Sequence, residues 1–416
     1  MATRRRFFGL ISMVIGFVMA LAILEIGSII WLYFEDWRFI PAAQRFEQTQ
    51  NTYVRDMTRD KPCRYVDTLY PHPYVGFVHH GNPPCGPPNV NNIGLFNDDF
   101  PTVKRDDRYT LLVVGGSVAS QLVQNEAPPS PRFLEEELNA KYVSPNGKPW
   151  LVLNGGDGAW KQPQQFILFS MYATSVDAVM SLDGFNEHYF FSPWMKERLE
   201  RPLSNFIEVN PFVADENFAD AAIGWVMGRL AGGLAQNPIL GNSNAAFLII
   251  RGIEAAAKRR DTFKGEDKRT TLNSIFAMPK EIRADNDKAF ALQLSLYQKY
   301  HRGIEAVARE FGVKSAYFLQ PVPAIGKRLT EAEKRVVGDT SYVETYRRIV
   351  AGMMTLRQNG LAIYDLGDIF NDEPSDIYDD GIHFKRTKGN DSPGYRIMAT
   401  RVAQNLAEAW KLQRKQ

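Results

Sequence analysis

From Tyr109 onward the chain alternates short apolar runs with stretches of helical periodicity. Leu111 to Val114 reads as a buried strand, Trp150 to Leu153 as a second and Ala178 to Leu182 as a third. Between them, Pro131 to Lys141 places Phe133, Leu134 and Leu138 on one helical face, and Gln164 to Thr174 is a further helix. Lys288 to Phe311 predicts a long amphipathic helix running into strand Lys314 to Leu319. Thr330 to Asn359 is largely helical, Ala362 to Leu366 is the next strand, and a helix from about Pro393 to Trp410 follows. Strands and helices that alternate through short connections imply an α/β fold: a parallel sheet with helices on both faces, three layers deep.

Two regions break this rhythm. Between Glu200 and Met278 lie apolar helical stretches, notably Phe218 to Leu234 and Asn244 to Ala257, with Gly241-Asn-Ser243 marking a turn before the second. We read residues 200–280 as a helical insertion. It either caps a site, packs as core, or presents an apolar face to a membrane or partner. At the other end, Arg4-Arg5-Arg6 precedes an uncharged run from Phe7 to Leu24, and apolar character resumes after Glu25 through Phe34. Such a run is long enough to cross a bilayer, and the arginines favour a cytoplasmic N-terminus. Ala20-Leu-Ala22 resembles a signal-peptidase site, but apolar residues continue well past it, so an uncleaved anchor is expected. Glu25 either has a partner within the span or lies close enough to the outer interface to reach water; the second is the simpler expectation.

The expected organisation is therefore a cytoplasmic tail (1–6), a transmembrane anchor (7–34), an irregular arm (35–101), a first α/β part (102–199), the insertion (200–280) and a second α/β part (281–416). The arm is rich in proline, asparagine and aromatics, and Tyr70 to Phe77 and Asn91 to Phe96 read as ordered loops. A net charge of +2 over 416 residues argues against a nucleic-acid binder. Cys63 and Cys85 suit an oxidising compartment and could form one disulfide or stay free. They lack paired zinc-ligand spacing, His72, His79 and His80 between them complete no familiar ligand set, and no metal or cofactor is expected.

The candidate chemistry sits after the strands. Gly115 and Gly116 turn the chain out of the first strand, and Ser117 opens a helix at the carboxyl edge of the sheet, where open α/β sheets bind ligands. Ser117 alone could be an ordinary helix cap. Asn154-Gly-Gly156, Gly184-Phe-Asn186 and Asp380-Gly-Ile-His383 follow later strands and fall at the same edge.

These four blocks, in this order, resemble the SGNH or GDSL-like hydrolase superfamily, with its flavodoxin-like α/β/α fold. Asn91-Asn-Ile-Gly94 and Phe318-Leu-Gln-Pro321 are similar to membrane-anchored bacterial members. The resemblance covers roughly Tyr70 to Trp410 apart from the insertion. Two positions depart from it: Gly116 stands where an aspartate is usual, and Glu187 follows Asn186 where many members have aspartate.

The resemblance implies a nucleophile, Ser117, a general base, His383, and an orienting acid, Asp380, whose spacing from His383 favours it over Asp376 and Asp379. The Ser117 and Gly156 amides and the Asn186 side chain would form an oxyanion hole. Asn154 is expected to hold the glycine loop, and His188 to pack within its own loop rather than touch substrate. Trp160 and Tyr189 line a pocket or pack as core.

The leading expectation is a membrane-anchored serine esterase or deacylase working through an acyl-serine intermediate. Its ester substrate would be a cell-envelope or exported polysaccharide, and its catalytic domain would lie on the periplasmic side of the inner membrane. An O-acyltransferase that uses a sugar hydroxyl in place of water is the first alternative. A non-catalytic assembly subunit of an envelope complex is the second, with protein partners open.

Overall fold

The computed structural model describes residues 2–48, 68–81, 87, 89–123, 131–188, 191, 233–234, 237–263 and 278–416. Cys63, Cys85, Tyr189 and nearly all of the stretch Phe218 to Leu234 lie outside the described residues. The chain divides into two compact units: residues 1–68 with 210–271, and residues 69–209 with 272–416.

In the first unit, α1 (Ala2–Asp36) is followed by α2 (Ala42–Gln48) and, far along the chain, by α7 (Asn244–Phe263). Residues 11–36 of α1 are long and apolar enough to cross a membrane. The described part of the insertion packs on this helix, and the cause is a carboxylate. Glu25 accepts hydrogen bonds from Ser243 Oγ at 2.6 Å, the Asn244 amide at 2.7 Å, Asn244 Nδ2 at 3.0 Å and the Ala245 amide at 3.1 Å. The expectation that Glu25 merely reaches water is corrected: it closes the start of α7, whose first N–H groups have no partner within their own helix. Further along, Arg251 pairs with Glu35 at 2.7 Å, and Phe46 of α2 meets Phe247 edge-on at 5.2 Å.

The second unit is the expected α/β domain. A short antiparallel hairpin, β1 (Leu69–His72) and β2 (Gly76–His79), precedes the sheet. The sheet strands are β3 (Tyr109–Gly115), β4 (Trp150–Gly156), β5 (Ala178–Asp183), β6 (Lys314–Leu319) and β7 (Ile363–Asp365). All pair in parallel, in the order β4-β3-β5-β6-β7. The helices between and after them are α3 (Ser117–Val123), α4 (Phe133–Lys141), α5 (Gln164–Tyr172), α6 (Phe185–His188), α8 (Asn286–Glu310), α9 (Glu331–Val337), α10 (Val343–Gln358) and α11 (Pro393–Trp410).

Alternation along each strand splits the core in two, because successive side chains point to opposite faces. Leu111, Val113, Met180 and Phe318 pack with Leu134, Leu138, Met398 and Leu406 of α4 and α11. Leu112, Val114, Val179 and Tyr317 pack with Leu168, Ile304 and Met353 of α5, α8 and α10. Both faces of the strands are buried, which is why they read as continuous apolar runs rather than alternating ones. The largely helical stretch from Thr330 to Asn359 is made of two helices. Gly338 ends α9 at φ +72°, a conformation that only glycine takes without strain, and α10 starts afresh at Val343.

With β3 first in the chain and β4 and β5 on its two sides, the winding reverses between β3 and β5. In sheets of this kind a crevice opens at the carboxyl ends of those two strands. Ser117 follows β3 and Asn186 follows β5.

Candidate active site

Ser117 and His383 are 266 residues apart in sequence, yet His383 Nε2 lies 2.7 Å from Ser117 Oγ. On the other side of the ring, His383 Nδ1 lies 2.8 Å from Asp380 Oδ2. A carboxylate only accepts, so Nδ1 carries the proton and Nε2 is left to accept from the serine hydroxyl. The remaining Asp380 oxygen accepts the Ile382 and His383 amides, both at 2.8 Å, which pins the acid to the loop it orients. Partial burial would raise the Asp380 carboxyl. The hydrogen bonds from the His383 ring and from the His383 and Ile382 amides outweigh it and hold the group well below the usual carboxylate range.

The neighbouring carboxylate of Asp376 is engaged elsewhere. Asp376 accepts from Thr330 Oγ1 at 2.5 Å and Lys385 Nζ at 2.9 Å, and the Asp379 amide donates to the His383 carbonyl.

A buried acid that the sequence reading passed over sets this loop. Glu333 Oε1 accepts the Ile377 and Tyr378 amides at 2.7 and 3.1 Å, while Oε2 accepts the Thr330 amide and lies 3.1 Å from Lys327 Nζ. Glu333 therefore anchors the strand of loop leading into Asp380. Its N-cap partner Thr330 was visible as a capping box, Thr330 to Glu333, which is the one local signal that could have found it.

The second and third blocks form the opposite wall. Gly156 ends β4 in register with Gly115 at the end of β3. Asn154 holds this loop as expected, its Nδ2 donating to Ser120 Oγ at 2.8 Å. Its Oδ1 also accepts the Gly156 amide at 3.0 Å, so the N–H expected to face an oxyanion is engaged by a side chain. Asn186 Nδ2 donates to the Trp160 carbonyl at 2.8 Å with one of its two N–H groups.

Gly116 now has a physical reason. A Cβ there would stand 2.4 Å from Asn186 Nδ2 and 3.2 Å from the Trp160 carbonyl, so any side chain, aspartate included, would push Asn186 away. Gly184 turns the chain into the Asn186 block at φ +116°, with Tyr346 Oη only 2.7 Å from where a Cβ would be.

Glu187 is a structural strut. It is 1% exposed; Oε2 accepts the Gly184 amide at 2.8 Å and Oε1 the Gln162 amide at 3.1 Å, tying the loops after β4 and β5 together. Beneath them, buried Asp183 accepts from Tyr297 Oη and lies 3.5 Å from His301. On the arm side, His79 reaches Asp157 at 3.0 Å, and the His79 amide donates to Gly94 in the Asn91–Gly94 turn.

His188 packs on Phe185 of its own loop at 4.8 Å and stacks on Tyr342, which precedes α10, at 4.6 Å, and Trp160 is fully buried against Phe77. Among the described residues no group of three or more histidine, cysteine or acidic side chains could hold a metal ion.

No protein-family model matches the chain, and no curated protein does. Among solved structures, the chain is similar to a crystal structure of a candidate acylhydrolase from Bacteroides fragilis. The two share 10% identity, with 74% of this chain and 91% of that one covered and a TM-score of 0.31.

Proposed function

We propose that this protein is a serine ester hydrolase of the SGNH type, held at a membrane by α1 and acting through an acyl-Ser117 intermediate. The observation that carries the reading is His383 bridging Ser117 and Asp380 at 2.7 and 2.8 Å. Ser117 Oγ attacks the ester carbonyl carbon as His383 Nε2 takes the hydroxyl proton, and Asp380 stabilises the imidazolium that results. The tetrahedral intermediate collapses, His383 returns the proton to the departing alkoxide, and the alcohol leaves. Water then repeats the sequence on the acyl-serine and frees the acid.

The oxyanion is met by the Ser117 amide and the second N–H of Asn186 Nδ2. The Gly156 amide contributes by sharing its hydrogen between Asn154 and substrate. A serine hydroxyl already hydrogen-bonded to its base favours catalysis over a purely scaffolding role.

The domain faces the periplasmic side of the inner membrane, and the substrate class is an acylated envelope or exported polysaccharide. Its support is the arginine-flanked anchor together with the four-block resemblance.

The test is turnover of a chromogenic acetyl ester by the full chain in detergent, with and without an oligosaccharide acceptor. Ser117→Ala and His383→Ala should each lower kcat by roughly 10⁴–10⁶-fold, and to a similar extent, because the set acts as a unit. Activity retained by Ser117→Ala sinks the reading. Acetylated sugar as the main product reassigns the enzyme as a transferase.

A further inference from the structure

The α1–α7 pair contains a feature that the esterase reading does not use: a turn and a helix start placed at the depth of a residue inside the apolar span. Glu25 meets residues 243–245 and Glu35 meets Arg251, so the two helices run in the same direction. Their apolar stretches end together. On α1 the first acids after Glu25 are Glu35 and Asp36, and on α7 the first charge after Ala245-Ala-Phe-Leu-Ile-Ile250 is Arg251. The Arg251–Glu35 pair thus marks one boundary for both helices. Glu25 lies ten residues inside it, about 15 Å at the helical rise, which is roughly half the hydrocarbon thickness of a bilayer.

The turn before α7 is built as a turn in hydrocarbon must be, with its polar groups paired internally. Asn237 Oδ1 accepts the Ile239 and Leu240 amides at 3.0 and 3.2 Å, and the Asn237 carbonyl accepts the Gly241 amide at 2.7 Å. Asn242 Nδ2 donates to the Pro238 carbonyl at 2.9 Å, and the Ser243 hydroxyl and the next two amides go to Glu25. On α1, the Ser28 hydroxyl is returned to the Leu24 carbonyl. Outward, this turn and helix leave Ile239, 78% exposed, and Ile249, 60%; the side chains of Asn237 and Asn242, also exposed, are hydrogen-bonded back into the turn.

We infer that residues 237–250 form a re-entrant segment that enters the outer leaflet beside α1 and presents Ile239 and Ile249 to phospholipid acyl chains, with Glu25 as its intramembrane clasp. The inference rests on α1 crossing the membrane. It makes the insertion a second membrane contact on the side to which α1 delivers the rest of the chain. An acid that costs free energy in the span and a helix start with orphan donors each satisfy the other there.

The test uses the full chain in vesicles of phosphatidylethanolamine and phosphatidylglycerol, with a photoactivatable diazirine amino acid at one position at a time. Position 17 on α1 is the reference for lipid, and position 336, exposed on the catalytic unit, the reference for water. Positions 239 and 249 should yield lipid adducts at the level of position 17 and roughly tenfold above position 336, since no water reaches the hydrocarbon to quench the carbene. Water-quenched product or cross-links to a second copy at 239 and 249, with lipid adducts at 17, overturn the inference and leave the anchor intact. Absence of lipid adducts at 17 overturns the spanning reading and this inference with it. Neither result touches the esterase reading, which the Ser117→Ala assay decides.

Discussion

Two carboxylates in this protein do similar work in opposite surroundings. Asp380 accepts two backbone amides and a histidine ring from residues two and three positions ahead of it, in a loop open to water. Glu25 accepts two amides and two side chains from residues 218 to 220 positions away, from within an apolar helix. The first arrangement is local, so its pieces are always near one another and the carboxylate only has to fix an angle. The second joins distant segments, so the carboxylate determines where a whole helix begins. Losing Asp380 should cost chemistry, and losing Glu25 should cost architecture.

The largest effect expected from breaking this contrast is at Asp380. Asp380→Asn keeps the size but removes the charge that orients and stabilises His383, so kcat should fall about 10³–10⁴-fold. The same variant tests the electrostatics. Asp380 has a folded pKa held below its unfolded value, so its contribution to stability is present above about pH 4 and is lost as pH falls toward the folded value. The wild-type advantage in Tm over Asp380→Asn should accordingly be visible at pH 6 to 7 and shrink on acidification, about pH 4 and below. A gap independent of pH would mean that the carboxylate charge is not what the loop uses.

Next is Gly116→Ala, which places a methyl group against Asn186 Nδ2. It should lower kcat by about 10²–10³-fold, the cost of losing one oxyanion donor, with KM less affected. The double variant with Asn186→Ala should then lose little more than either alone; additive losses would disprove the link.

Glu25→Ala should leave ester turnover essentially unchanged and loosen α7. With its first amides unpaired, tryptic cleavage at Lys258-Arg259-Arg260 should rise by roughly tenfold, the equivalent of one lost charge-assisted hydrogen bond. A catalytic loss equal to that of Asp380→Asn would erase the distinction between the two acids.

The smallest effect is at Glu187. Glutamine there keeps one acceptor for either the Gly184 or the Gln162 amide and turns a donor on the other. A kcat loss of about threefold to tenfold is expected, on the scale of one imperfect buried hydrogen bond, with recovery in Glu187→Asp ruled out by its shorter reach.

Much of the α/β domain was legible because its signals are local. Apolar runs buried on both faces mark β3 to β6, and three-to-four-residue periodicity marks α4, α8 and α11. Within the helical stretch Thr330 to Asn359, the division at Gly338 came from the structure, where Gly338 caps α9 at a positive φ. The four chemical blocks were found from their place after strands, and the structure puts Ser117, Asp380 and His383 within hydrogen-bonding distance of one another along the chain of contacts. Less legible were the struts behind them. Glu187, Glu333 and the His79–Asp157 pair are ionisable residues whose burial depends on which segments close over them, and apart from the Thr330–Glu333 capping box nothing in the neighbouring sequence points to them.

By itself, then, the sequence determined the order of strands and helices, an N-terminal apolar run long enough to cross a membrane, and the spacing that lets Asp380 reach His383, all of which depend on residues a few positions apart. Only the tertiary structure decided that Gly116 must be bare because Asn186 lies over it, that the Gly156 amide is engaged by Asn154, and that Glu25 clasps α7. Each of these turns on a contact between segments that share no local pattern. Packing and the pairing of buried polar groups, rather than propensity, set those contacts.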